Sequence, residues 1–236
     1  MSDPPLAPHE LWQRLYPPGS FDPDRPEGHA TIWPGTLRDG RQILQPIRAL
    51  PDAPGRGLAS LIVNQASFAV QDALADLMAG QAQAHAPEIM VGVPTLGLPL
   101  AEAVARRLGH HRFVALGTSR KFWYDEGLSV PLRSITSPGG GGAAEKRLYL
   151  DPRMLPLLSG RRVLLVDDVL SSGASLGAAL ALLRLAGVVP VAAVFAMLQG
   201  TRWQAVTAQT SLPVAAALAT PLLQCGADGR WRAPQV

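Results

Sequence analysis

The chain has 236 residues, 47% of them hydrophobic, which suits one domain with an accessory lobe and a sizeable core. No apolar run approaches the ~18 residues of a membrane span, and the Pro-rich, acidic stretch Met1–Pro8 does not read as a signal peptide. The lone cysteine, Cys225, excludes an internal disulfide and suits a reducing cytoplasm, while a net charge of +3 without a long basic stripe or aromatic platform argues against nucleic acid.

Residues 1–30 are rich in Pro, Asp and Glu with scattered aromatics (Trp12, Tyr16, Phe21), and read as a surface-draped or partly disordered extension. Thr31–Leu37 and Gln42–Ile47 flank Asp39-Gly40, a β-hairpin signal. Pro51–Gly57 reads as a loop. Ile62, Phe68, Ala69, Leu74, Leu77 and Met78 share one stripe and predict a helix from Leu61 to about Gln83, capped by Ser60 or Asn64.

Glu88–Val93 predicts a buried strand, Pro94-Thr95-Leu96-Gly97 a tight turn, Leu98–Leu108 an amphipathic helix and Phe113–Leu116 another short strand. The rhythm then breaks. Two β-prone runs, Leu128–Leu132 and Arg147–Leu150, enclose the tract Gly139–Gly142, which reads as a mobile hairpin tip. From Arg120 to Arg162, eight basic residues stand against four acidic ones, a local excess that suits a small polyanion or forms an ordinary solvated face. Val163–Val166 predicts the next core strand, with a helix from about Leu176 to Leu185 and Gly187 as its C-cap. Val188–Met197 reads as a strand, Gln199–Ala208 as a polar connection and Pro213–Leu223 as a last strand. Strands alternating with helices predict an α/β fold with a mainly parallel central sheet flanked by helices. Ligands of such sheets bind outside the carboxyl ends of the strands. The loops at 94–97, 117–124 and 167–175 all fall there.

One stretch carries the most chemistry. After Val163–Val166 come two acids, Asp167 and Asp168, placed at the strand's carboxyl end, and then the small-residue turn Ser171-Ser172-Gly173-Ala174-Ser175 before a helix. Backbone N–H groups and hydroxyls in such a turn can hold a phosphate at the helix N-terminus. Two carboxylates cannot hold a phosphate; they suit vicinal sugar hydroxyls, or a magnesium ion bound to those hydroxyls. A ribose 5-phosphate has both groups at that separation. Leu164-Leu165-Val166-Asp167-Asp168 also opens receiver domains of response regulators, but only 68 residues follow Asp168, too few for the rest of a receiver. A solvated acidic cap on an ordinary strand is the plainest alternative.

The stretch Val163–Ser175 resembles the PRPP-binding signature of the type I phosphoribosyltransferases (PRPP, phosphoribosyl pyrophosphate). The resemblance spans roughly residues 60–200. It implies a type I phosphoribosyltransferase-like fold with a small hood from the N- and C-terminal parts and a β-hairpin flexible loop. Residues 1–58 would be extension and hood hairpin, 59–212 the PRPP-binding core, and 213–236 the C-terminal strand and tail completing the hood. In site terms it implies that Asp167 and Asp168 hold the ribose and, through its hydroxyls or water, Mg²⁺. Ser171, Ser172, Gly173, Ala174 and Ser175 would hold the 5-phosphate. Thr95, Leu96 and Gly97 would hold pyrophosphate together with Arg120 and Lys121, which resemble an Arg-Lys pair of the purine enzymes. Asp167, Asp168 and Lys121 are the residues implied in catalysis.

The segment Asp125–Asp151 occupies the place of the family's flexible catalytic loop. Its layout looks most like the xanthine/purine phosphoribosyltransferase and purine-repressor branch, and less like the adenine and orotate enzymes. Asn64 and Val169 are the candidate base contacts; the purine-contacting asparagine of the xanthine enzymes falls on or beside Asn64 depending on register, and the preferred register puts Val63 there. Trp33, Phe122, Trp123 and Tyr124 offer either base-stacking surfaces or packing. The implied activity is transfer of the phosphoribosyl group of PRPP to a nucleobase, a purine above others, with release of pyrophosphate, by a cytoplasmic homodimer acting on small molecules. A catalytically silent PRPP sensor is the second reading, and an α/β domain binding another phosphorylated metabolite the third. Purine repressors carry a winged helix ahead of this fold; the first 60 residues here show no pair of helices, so DNA binding is not expected.

Overall fold

A computed structural model describes residues 4–132 and 146–234. The tract Gly139–Gly142 lies outside the described residues, as do Arg133 and Glu145 of the charge excess. The elements in chain order are β1 (Ile32–Thr36), β2 (Gln42–Ala49), β3 (Arg56–Ala59), α1 (Phe68–Gln83), β4 (Ile89–Gly92), α2 (Gly97–Arg107), β5 (Val114–Ala115), β6 (Ser129–Pro131) and β7 (Arg147–Tyr149). They continue with α3 (Leu155–Leu158), β8 (Val163–Leu170), α4 (Ala174–Leu185), β9 (Ala192–Gln199), α5 (Gln204–Ala208), β10 (Val214–Thr220), β11 (Leu222–Cys225) and β12 (Trp231–Arg232).

A parallel sheet in the order β10-β9-β8-β4-β5 forms the centre. Its strands are apolar through their N-terminal and middle parts, where both faces are covered, and carry Asp167, Asp168, Gln199 and Thr220 toward their carboxyl ends. One face packs on α1 and α2, with Met78, Leu100, Leu164 and Val194 among the buried side chains. The other packs on α4 and on the β6–β7 hairpin, through Leu128, Leu148, Leu165, Leu182 and Phe195. The chain leaves β4 toward β5 on one side and β8 toward β9 and β10 on the other. The crevice between the carboxyl ends of β4 and β8 is therefore the topological switch point, where ligands of such sheets bind.

A second, antiparallel sheet, β1-β2-β3-β11-β12, joins the two ends of the chain. Gln199 Nε2, at the end of β9, donates to the Ala59 carbonyl at the end of β3 (2.8 Å). This sheet thus docks beside the carboxyl ends of the parallel strands.

Several expectations are corrected. The Leu61–Gln83 helix begins later. Leu61 and Val63 are both buried, a spacing of two that one helix face does not permit, and Ser67 opens α1 by accepting a hydrogen bond from the Val70 N–H (3.3 Å). Part of the Pro51–Gly57 loop becomes β3, and the polar connection after β9 contains α5. The single strand expected over Pro213–Leu223 is two, β10 in the parallel sheet and β11 in the antiparallel one. The extension is not loosely draped: Trp12 is 4% exposed, its indole N–H donates to the Ser60 carbonyl (2.9 Å), and Tyr16 bridges to Gln42. No helix among the described residues is long and apolar enough to cross a membrane.

Trp12→Ala removes this anchor and leaves a cavity under β2. It should lower unfolding free energy by about 3–5 kcal/mol in urea titrations; a change within about 0.5 kcal/mol would mean that the extension merely lies on the surface.

Candidate functional site

Asp167 and Asp168 do not end their strand. β8 runs on to Leu170 because β9 continues beside it, with Val169 opposite Met197 and Leu170 opposite Leu198. On its other edge the pairing with β4 stops at Gly92 opposite Val166. From Asp167 onward the β4 edge of β8 is thus unpaired, and the turn after β4 leans into the space.

Gly97 makes that approach. A Cβ at this position would lie 2.7 Å from Asp167 Oδ1 and 2.8 Å from Asp167 Cα, closer than real side chains come. Only glycine lets the start of α2 sit against β8. Thr95 is exposed and Leu96 half-buried in the same turn, and the Pro94–Thr95 peptide is cis.

The two carboxylates differ in setting. Asp167 is 7% exposed and its Oδ1 accepts the backbone N–H of Asp168 at 2.9 Å, while Asp168 is half-buried. No described basic side chain pairs with either. Burial raises the Asp167 pKa well above the ordinary 3.8, reinforced by the charge of its neighbour. Asp168 is also raised, by burial first.

The turn beyond β8 is open. Ser171, Ser172, Ala174 and Ser175 are half-buried, and Gly173 takes a left-handed φ of +85° as the cap of α4. Ser172 Oγ accepts the Ala174 N–H (3.2 Å). Among the described residues, the N–H groups of Ser172, Gly173, Ser175 and Leu176 donate to no other backbone group, and the Ser171 and Ser175 hydroxyls have no partner. These are the orphan donors of a twelve-residue helix, aligned with its positive end.

The third loop follows β5, next along the sheet. Arg120 and Lys121 are exposed there, and Arg120 Nε pairs with Glu126 Oε1 at 2.7 Å. Trp123 ties this loop to the hairpin side. Its indole N–H donates to Asp151 Oδ2 (3.3 Å), and the Arg153 guanidinium stacks over its ring at 4.6 Å. Arg153 also hydrogen-bonds Asp151 and holds that carboxyl down at about 2. Sequence reading singled out neither Asp151 nor Arg153 as an anchor, since the contact joins residues far apart in the chain.

The structure thus brings Gly97, Asp167 and Asp168 into contact at the switch point, with the 171–175 and 117–124 loops on the same end of the sheet. Of the two proposed base contacts, one adjoins that group on β8 and the other lies before α1. Val169 is half-buried on β8 and packs on the core, and Asn64 is exposed on a turn before α1. Val63 is 0% exposed, so the register placing it against a base leaves no accessible side chain. Trp33 is buried in the antiparallel sheet's own cluster with Ala59 and Leu223, Tyr124 packs near Tyr149, and Phe122 is 94% exposed.

Arrangements of this chemistry have known counterparts. Residues 63–212 match the family described as the phosphoribosyl transferase domain. An adenine phosphoribosyltransferase of Mycobacterium marinum is 34% identical over 123 residues, covering 52% of this chain and 58% of that protein. The match therefore spans less than two thirds of the curated relative. The APRTase of Giardia lamblia, solved in complex with 9-deazaadenine, superposes with a TM-score of 0.58 at 22% identity, covering 74% of this chain and 93% of that one. The adenine phosphoribosyltransferase of Thermoanaerobacter pseudethanolicus gives 0.56 at 18% identity, covering 74% and 95%. At these identities the likeness establishes the fold.

The raised carboxyl at Asp167 has a measurable consequence. The folded chain binds a proton that the unfolded chain has lost above about pH 4. The stability contributed by neutral Asp167 is fully present below the unfolded pKa of 3.8 and is lost as pH rises through the folded value. Ligand-free protein should therefore lose stability across that window in pH-resolved denaturation, and Asp167→Asn should flatten the slope. An unchanged slope in the variant would show that the group is ionised and solvated.

Proposed function

The chain belongs to the phosphoribosyl transferase domain family, and from that premise we propose that it is a nucleobase phosphoribosyltransferase acting on PRPP and a purine. The observation that carries this reading is the pairing of a buried and a half-buried carboxylate, without a basic partner among the described residues, with an open, donor-rich helix start on the same strand–turn–helix unit. A diol fits the first and a phosphate the second. The relatives bearing the name adenine phosphoribosyltransferase support a purine as acceptor, and the fold shared with the Giardia protein supports the same layout of loops.

In this reading the Asp167 and Asp168 carboxylates accept hydrogen bonds from the ribose hydroxyls. Ser171 to Ser175 supply amides and hydroxyls to the 5-phosphate. Thr95 to Gly97 offer backbone to pyrophosphate, and Arg120 and Lys121 neutralise its oxygens. The bond between C1 and the pyrophosphate oxygen breaks and pyrophosphate leaves, a base nitrogen bonds to C1 and releases its proton to water, and the positive charge that develops on the ribose faces the acidic pair. Positioning and charge complementarity carry the rate.

Magnesium suits this donor set. Asp167 and Asp168 are adjacent carboxylates without a basic partner among the described residues, and hard oxygen ligands of this kind, one or two at a time beside water and substrate, are what such an ion takes. Asp167 and Asp168 would hold it through ribose hydroxyls or water, and it would supply charge neutralisation for the leaving pyrophosphate. Division into a hood from both chain ends around a core at 59–212, a homodimer and a cytoplasmic setting complete the proposal. The docking of the antiparallel sheet beside β9 supports the hood, and the lone half-buried cysteine supports the compartment.

Purified protein with PRPP, MgCl₂ and each of adenine, hypoxanthine, guanine and xanthine should release pyrophosphate with at least one of them. Chelating the metal should stop it, and Asp167→Asn with Asp168→Asn should cut kcat/KM by about a hundredfold or more. PRPP binding without pyrophosphate release from any base would instead identify a silent PRPP sensor.

A further inference from the structure

The turn that would take the 5-phosphate carries no charged residue. Ser171 to Ser175 offer neutral hydroxyls and amides, while both cations assigned to the ligand, Arg120 and Lys121, sit on the loop after β5 at the pyrophosphate end. A phosphate monoester carries up to two negative charges, and a partly buried anion is bound best by donors that include a formal positive charge.

The neighbour of that turn is the segment after β9. Gly173 is pressed against it: a Cβ there would lie 2.7 Å from Val206 Cγ2 and 3.4 Å from Trp203 Cα. Gly177, one turn into α4, faces Val206 Cγ1 at 3.8 Å by the same measure. The segment is held in shape by the Trp203 indole N–H, which donates to the Gly200 carbonyl (2.9 Å), and by the Val206 N–H to the Trp203 carbonyl (3.0 Å). Arg202 precedes Trp203. It is exposed, and its guanidinium makes no hydrogen bond or ion pair with any described residue. It is also the one charged residue between Arg184 and Asp228. In a long stretch without other charge, an arginine that is unpaired among the described residues thus precedes by one position the residue whose Cα lies against Gly173 of the phosphate turn.

We propose that Arg202 is a substrate-binding residue that closes the anion site at the start of α4 from the side of the β9–α5 turn, supplying the positive charge that Ser171 to Ser175 lack. This rests on the phosphoribosyltransferase reading and names a determinant of it outside the signature. Arg202 acts on the 5-phosphate end alone, and Arg120 and Lys121 on the pyrophosphate end.

The two ends can be titrated separately by calorimetry on the full chain, with ribose 5-phosphate as one probe and pyrophosphate with MgCl₂ as the other. Arg202→Ala should weaken ribose 5-phosphate about tenfold and leave pyrophosphate within about twofold, and Arg202→Lys should recover part of the loss. Added NaCl should weaken ribose 5-phosphate more in the wild type than in the alanine variant. Because Arg202 is exposed, equal melting temperatures will show that the variants fold. Equal ribose 5-phosphate affinity in wild type and R202A overturns the assignment while leaving the parent reading intact, and so does a loss shared with pyrophosphate. Wild-type protein that binds neither ribose 5-phosphate nor PRPP overturns both.

Discussion

Everything at the site depends on one close approach, that of Gly97 to Asp167. β8 keeps its partner on the β9 side to Leu170 but loses it on the β4 side after Val166. A bare strand edge inside a folded core is costly unless something covers it. Here the cover is the backbone of the turn that begins α2, and it fits because position 97 has no Cβ. One contact thus brings a helix start, an open turn and an acidic side chain to the point where the sheet's connections diverge.

The same contact explains the electrostatics. Covering Asp167 takes its carboxylate away from water without supplying a cation, so both acids hold their protons above the ordinary range. The cations are elsewhere and wet: Arg120 shares a solvent-exposed pair with Glu126, and Lys121 is exposed. An exposed pair of that kind contributes little to stability and is readily exchanged for a better anion. Charges of opposite sign are kept apart across the crevice. A ligand with hydroxyls or a metal at one end and phosphates at the other satisfies both sets in a way that the side chains do not satisfy each other.

Much of this was legible in the sequence because it is local. Strand, acids, small-residue turn and helix follow one another within Val163–Leu185, so composition and order alone placed the unit, and Gly97 stood out as a glycine at a strand-to-helix turn. Local pattern misjudged places where distant partners decide. The strand at Asp167 runs longer than its own residues predict because its length is set by β9. The Leu61–Ser67 stretch looked helical because its apolar residues fit a stripe, yet Leu61 and Val63 both turn into the core. Trp12 looked like a stray aromatic on a polar tail, and its partner is the carbonyl of Ser60.

That distinction between local and distant partners bears on what separates this chain from its relatives. The family match at 63–212 holds the parallel sheet up to β9 and stops short of every strand of the antiparallel one. That second sheet exists only because β3, near one end of the chain, pairs with β11, near the other, with Leu58 opposite Leu222. A pairing of such long range leaves no motif behind, only β-prone runs too short to rank. The part of the molecule proposed to hold sugar and phosphate is specified by contiguous residues and falls within the family match. The part that docks over β9, through Gln199 and Ala59, is specified by the meeting of the chain's two ends and is free to differ. Under the proposed function, discrimination among bases falls to that second part, because it can be rebuilt without disturbing the strand–turn–helix unit beneath it.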